Sequence, residues 1–281
     1  MIDLFKHIAS QNNLYLKEAK PLSGGDSNQV FLLKCEEGCF VAKINDADRF
    51  PKMFSVEAKG LQMLNETKSF KIPKVIAEGK VLNQAYLLLE FIAPGNKTTD
   101  FWNIFAQQLA SLHRTTQNQF GLDHDNYIGS LPQYNGFCES AVEFYISQRL
   151  EPQLKLAFEG GFKFGKLKGF FKNISEEIPE ESPSLIHGDL WSGNFLVAHN
   201  GDPALIDHAV AFASREMDLA MMKLFGGFSE EVFMTYNSIF PLCEGWKERT
   251  AIWQLYYLLV HLNLFGSGYL SQVKFILKRY S

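Results

Sequence analysis

Two aspartates and an asparagine carry the residue types from which phosphoryl transfer is built. Asp189 and Asn194 stand five positions apart in Ile186-His187-Gly188-Asp189-Leu190-Trp191-Ser192-Gly193-Asn194, and Asp207 closes the short apolar run Ala204-Leu205-Ile206. One carboxylate can take the proton of a substrate hydroxyl. A carboxamide oxygen and a second carboxylate are hard donors suited to the Mg2+ that neutralises phosphate oxygens. Asp189 is therefore the expected catalytic base and Asn194 and Asp207 the expected metal ligands, with ATP and Mg2+ as cofactors. A lone Asp/Asn pair commonly does no more than close a loop; the full string with its partner aspartate is what points to chemistry.

The spacing His187-x-Asp189-x-x-x-x-Asn194 is that of a kinase catalytic loop, and the N-terminal portion holds the complement such a loop needs. Ser23-Gly24-Gly25-Asp26-Ser27-Asn28 joins two predicted strands, where the backbone around Gly24, Gly25 and Ser27 could approach phosphates closely. Lys43, in Phe40-Val41-Ala42-Lys43, lies on the next strand at the place of a lysine that grips the α- and β-phosphates. Glu57 falls on the following helix, where that lysine's carboxylate partner belongs. Glu90-Phe91-Ile92 ends an apolar strand just before a breaker-rich linker, the place for backbone contacts from Glu90 and Ile92 to adenine.

These residues need elements to hold them. Apolar spacing predicts a helix over 2–11, strands over Tyr15–Leu22, Gln29–Cys35 and Cys39–Ile44, a helix over Met53–Leu64, and strands over Lys74–Ala77 and Ala85–Phe91. After Ile92-Ala93-Pro94-Gly95-Asn96 the pattern turns helical, over about 99–116, 138–159, 164–177, 215–224, 229–238 and 246–264, with short strands within Leu185–Asp207. The expected architecture is α+β: a protein-kinase-like fold of two lobes, with a β-rich nucleotide-binding lobe over 1–91 and a mostly helical lobe over 92–281 that bears the catalytic loop and acceptor site.

Composition narrows the partners. With 27 Lys and Arg against 31 Asp and Glu, the chain lacks the basic surplus that nucleic acid requires. Its most apolar stretch, Ala251–Phe265, is interrupted by Gln254, His261 and Asn263 and reads as a buried helix, not a membrane span. Four cysteines without metal-site spacing read as reduced thiols of a cytoplasmic protein. Oligomeric state is left open.

The segment His187–Asn194, with Trp191 inside the loop, closely resembles the fructosamine kinase (ketosamine-3-kinase) family, a branch of the aminoglycoside phosphotransferase-like kinases. The resemblance extends through Phe120-Gly121, Asn126-Tyr127-Ile128-Gly129, Pro132-Gln133-Tyr134-Asn135, Arg149-Leu150-Glu151-Pro152-Gln153, Arg215-Glu216-x-Asp218-Leu219-Ala220 and Leu224-Phe225-Gly226-Gly227-Phe228. It implies ATP-dependent phosphorylation of a sugar-type hydroxyl on a small-molecule or protein-linked ketosamine. By that similarity Asp189 is the base, Asn194 and Asp207 bind Mg2+, Lys43 and Glu57 serve the nucleotide, and Trp191 faces the acceptor. Two positions depart from the family pattern: Asp-Pro-Ala reads Asp207-His208-Ala209, and the glycine that commonly follows is absent from Ala211-Phe212-Ala213-Ser214.

Aminoglycoside- and choline-type phosphotransferases share the three catalytic-loop residues without the Trp191 loop or the 126–135 block. A protein kinase is disfavoured by the absence of Asp-Phe-Gly and Ala-Pro-Glu, and only residues 208–214 separate Asp207 from Arg215. A nucleotide-binding module without turnover is the alternative from outside enzymology. His113 and His187 are expected to be structural. Arg215 and Asp218 are expected to form an ion pair bracing the Asp207 loop.

Overall fold

Two central strands with continuous buried runs, over 42–45 and 86–89, organise the N-terminal sheet. In the structure, a computed structural model describing residues 1–22, 28–165 and 167–281, helix α1 (Ile2–Gln11) precedes β1 (Leu16–Pro21), β2 (Gln29–Cys35) and β3 (Cys39–Asp46). Helix α2 (Met53–Glu66), β4 (Val75–Val81) and β5 (Gln84–Glu90) follow. The strands form one antiparallel sheet in the order β1-β2-β3-β5-β4. Side chains two residues apart share a face. Ala42 and Ile44 of β3 accordingly enter one apolar cluster with Leu33, Leu88 and the α1 residues Phe5 and Ile8. Lys43 and Asn45, one step out of phase, meet α2 instead: Lys43 bonds Glu57, and the Asn45 amide reaches the Met53 sulfur at 3.1 Å. Each fully buried apolar side chain here contributes about 1.5–3 kcal/mol.

The helical portion runs α3 (Phe101–His113), the hairpin β6 (Asn126–Ile128) and β7 (Leu131–Gln133), α4 (Ala141–Phe144), a π-helical turn over Tyr145–Leu150, α5 (Glu151–Glu159) and α6 (Lys168–Glu177). Short strands β8 (Ser184–Ile186), β9 (Phe195–Val197), β10 (Pro203–Leu205) and β11 (Ala211–Ala213) follow. Helices α7 (Glu216–Leu224), α8 (Glu230–Ile239), α9 (Trp246–Phe265) and α10 (Leu270–Arg279) complete the chain. Helix α9 is buried on all sides from Leu255 to Val260, the mark of a core helix. It packs with Tyr145, Phe144, Phe170 and Met217 in the main core. Among the described residues no helix is long and apolar enough to cross a membrane.

The chain divides into two compact units, Met1–Thr98 with Leu196–Ile206, and Thr99–Phe195 with Asp207–Ser281. The division expected after Phe91 falls inside the first unit. That unit takes in 196–206 because Ala198 and Ala204 share an apolar cluster with Ile92, and because the amides of Gly95 and Leu205 bond Val197 and Lys71 carbonyls at 2.9 and 3.0 Å. The expected α+β class, a β-sheet lobe and a helical lobe, is what the chain adopts.

Several boundaries differ from expectation for local reasons. The helix expected from 138 starts at Ala141 because the Ser140 hydroxyl caps it, accepting the Glu143 amide at 3.1 Å. The strand expected over Lys74–Ala77 continues to Val81, paired with β5. The hairpin β6–β7 and helix α10 were not anticipated.

Candidate active site

In the first unit, the β3 lysine and the α2 glutamate meet. Lys43 Nζ lies 2.6 Å from Glu57 Oε1, and both side chains are largely buried. Strand register places Lys43 opposite Leu87 on β5 and Val30 on β2, so its backbone is fixed by two neighbours and only the side chain is left to orient. Glu90, at the end of β5, has its carboxylate on the Lys74 amide at 3.3 Å and near Lys71 Nζ at 3.8 Å. The Ile92 side chain is buried in the cluster with Ala198 and Ala204, so the backbone is what it can offer a ligand. Gly24, Gly25 and Ser27 lie outside the described residues.

In the second unit, Asp189, Asn194 and Asp207 come together. The Asn194 amide nitrogen donates to the Asp189 carbonyl at 2.9 Å, the Asp189 carboxylate at 3.0 Å and the Asp207 carbonyl at 3.1 Å. Three acceptors occupy the nitrogen, and the carboxamide oxygen is the group left for a cation. Asp207 has φ +54°, left-handed backbone that aspartate tolerates better than most residues but that must be held in place by its surroundings. Burial pushes the Asp189 carboxyl up to about 7, the nearby Asp207 charge adds to this, and the Asn194 hydrogen bond opposes it.

The loop bearing Asp189 is anchored from behind by a residue whose role the sequence did not reveal. Asp218, fully buried near the start of α7, accepts the His187 and Gly188 amides, both at 2.8 Å, and faces His113 Nε2 at 3.1 Å. The expected Arg215–Asp218 ion pair is therefore not the arrangement found. Arg215 instead pairs with Glu181 at 2.5 Å and donates to the Phe240 and Pro241 carbonyls at 2.8 and 2.6 Å. Asp218 is committed to the loop amides. His113 bridges Asp218 and the Tyr236 hydroxyl, 2.8 Å away. His187 Nδ1 accepts the Asp189 amide at 3.3 Å. Both contacts are of the structural kind expected.

Two glycines allow the close approaches around this loop. Gly188 has φ +81°, and a side chain there would collide with the Ala209 carbonyl. Gly227, φ +89°, lies against Ser192, so a Cβ would sit 2.5 Å from the serine Cβ. The Trp191 ring lies against Gly193, and the residue is 40% exposed. His208 stands edge-on to His187 with ring centroids 6.4 Å apart.

Comparison with known proteins identifies the family. A probable ketoamine kinase of Enterococcus faecium is 40% identical over 92% of this chain and 94% of its own. A probable ketoamine kinase of Vibrio parahaemolyticus is 38% identical over 94% and 92%. A crystal structure from Haemophilus somnus, provisionally named a fructosamine-3-kinase, superposes with TM-score 0.90 at 28% identity, covering 98% of this chain and 96% of that one. Aminoglycoside phosphotransferase APH(4)-Ia shares the fold alone, at TM-score 0.63 and 16% identity over 100% and 99% of the two chains. The sequence pattern of fructosamine kinases fits residues 3–281, and the chain belongs to the fructosamine kinase family.

Proposed function

We propose that this chain transfers the γ-phosphoryl group of ATP to a sugar-type hydroxyl of a ketosamine, free or protein-linked. ATP use follows from membership of a kinase family; the acceptor and the residue roles are the proposal. The observation that carries it is the Asp189–Asn194–Asp207 cluster, in which a carboxyl raised to about 7 sits beside a second carboxylate and a carboxamide.

Asp189 is the base. The acceptor oxygen attacks the γ-phosphorus as its proton passes to the Asp189 carboxylate, the bond from that phosphorus to the bridging oxygen breaks, and ADP leaves. A carboxyl whose affinity for a proton is raised towards neutrality is matched to this task. Lys43, held by Glu57, binds the α- and β-phosphates. The donors Asn194 and Asp207 fit Mg2+, which prefers oxygen ligands. When bound, Mg2+ would supply charge neutralisation at the phosphate oxygens. Trp191 offers a flat apolar surface to the C–H face of a sugar. Four free cysteines support a reducing, cytoplasmic setting.

The test is ATP consumption over a panel of ketosamines, plain sugars, aminoglycosides and choline. Turnover confined to ketosamines is expected. Preferential turnover of an aminoglycoside or choline would overturn the acceptor assignment, and the absence of turnover with every acceptor, despite ATP binding, would favour a silent nucleotide-binding module.

A further inference from the structure

The block Asn126–Asn135 and Arg149 has no part in the chemistry described above, yet its polar side chains are buried: Asn126 5%, Gln133 2%, Asn135 0% and Arg149 1% exposed. Burying so many amides and a guanidinium is unfavourable unless hydrogen bonds offset the lost hydration. Their hydrogen bonds run in one direction. Arg149 Nη2 donates to Asn135 Oδ1 at 2.8 Å, Asn135 Nδ2 to Asn126 Oδ1 at 3.0 Å, and Asn126 Nδ2 to the Val210 carbonyl at 2.9 Å. In parallel, the Tyr256 hydroxyl donates to Gln133 Oε1 at 2.7 Å, and Gln133 Nε2 donates to the Ala209 carbonyl at 3.0 Å and to Asn126 Oδ1 at 2.8 Å. Both chains end on carbonyls two and three residues beyond Asp207. A guanidinium at the head of one chain polarises the bonds that follow it.

The same short segment is gripped from its other side by the catalytic loop, where the Ala209 amide bonds the His187 carbonyl at 2.9 Å and the Ala209 carbonyl lies against Gly188. An ordinary strand neighbour would impose extended backbone. Side-chain amides reach the two carbonyls without doing so, leaving Asp207 free to hold φ +54°. Such backbone persists only where its surroundings over-determine it.

We propose that Asn126, Gln133, Asn135, Arg149 and Tyr256 form an amide clamp on the Ala209 and Val210 carbonyls that positions the Asp207 carboxylate for a divalent cation on the nucleotide. They are positioning residues, acting through the backbone of the Asp207 loop. The inference rests on the metal role proposed for Asp207.

The experiment measures ATP affinity by calorimetry with Mg2+ and again in EDTA; the ratio of the two reports how well the protein presents ligands to the cation. Gln133→Met keeps side-chain length and removes both donors, and Tyr256→Phe removes one hydroxyl. The ratio is expected to fall about tenfold in Gln133→Met and about threefold in Tyr256→Phe, with affinity in EDTA unchanged. A general structural role would lower the melting temperature and leave the ratio alone, and that result overturns the clamp. Should Gln133→Met fail to fold, the Tyr256→Phe ratio decides by the same criterion. A wild-type protein with no Mg2+-dependent gain in affinity would overturn the metal role of Asp207 itself, and the clamp with it.

Discussion

The Lys43–Glu57 pair and the Asp189–Asp207 pair stand in different electrostatic states. In the first, opposite charges 2.6 Å apart satisfy each other inside the protein. In the second, the Asp207 charge adds to the burial that raises Asp189, so each carboxylate opposes the ionisation of the other. The first pair joins opposite charges; the second sets carboxylate against carboxylate, a repulsion that a cation or a proton between them would relieve. Groups that bind can be preformed at little cost. Groups that react carry an unfavourable charge until the reaction uses it.

The largest expected effect comes from removing the reactive charge. Asp189→Asn should lower kcat by about a thousandfold and leave ATP affinity nearly unchanged, because the base acts on the acceptor hydroxyl. Wild-type turnover in that variant would end the assignment. The same substitution carries a stability prediction of opposite sense. The folded state raises this carboxyl from 3.8 to about 7 and so binds the proton more tightly than the unfolded chain. The stabilisation from that proton is present below the unfolded pKa and is lost as pH rises through about 7. Asparagine never ionises. Without ligands, Asp189→Asn should therefore melt a few degrees higher than wild type at about pH 8, and the gain should shrink towards zero at about pH 4. A melting difference independent of pH would mean that burial, with the Asp207 charge beside it, does not raise this carboxyl.

A smaller effect is expected from the preformed pair. Lys43→Ala and Glu57→Ala should each raise KM for ATP about tenfold, since removing Glu57 takes away the carboxylate that orients the buried ammonium. The double variant should be no worse than the poorer single variant, an interaction energy of about 1 kcal/mol. Additive losses would show that the two residues act separately, and the contrast between an oppositely charged pair and a like-charged one would dissolve.

What the sequence made legible follows the same division between short and long range. Asp189 and Asn194 are fixed by five residues of local spacing, and Lys43 and Glu57 by the order of strand and helix, so residue types alone located them. Asp218 reaches the amides of His187 and Gly188 across 31 and 30 residues, and nothing local marks that contact. The sequence pairs Arg215 with Asp218, three residues on, whereas its partner Glu181 lies 34 residues upstream. The left-handed backbone at Asp207 carries no glycine to announce it. Strands β6 and β7, three residues each, are too short for alternation to register. Asn126, Gln133 and Asn135 were visible as a family block, but their use became readable only once the carbonyls they bond were in place.

The smallest expected effect sharpens the comparison at the acceptor. Trp191 is 40% exposed, follows Asp189 by two residues and lies over Gly193, so it touches the reactive region without bearing charge. If its open face stacks on a sugar ring, Trp191→Ala should raise KM for a ketosamine about fivefold to tenfold, the worth of one aromatic contact of about 1 kcal/mol. KM for ATP should stay as it was, and kcat should fall only as far as orientation of the hydroxyl suffers. The packing role predicts something else. Stripping the indole from Gly193 would loosen the loop, lower the melting temperature and reduce turnover of chemically unrelated acceptors by one common factor. Melting temperature and both KM values, measured on the same preparation, separate the two. An unchanged ketosamine KM with a destabilised protein would remove Trp191 from the acceptor surface, and would leave Asp189 as the loop's only residue assigned to act on the acceptor.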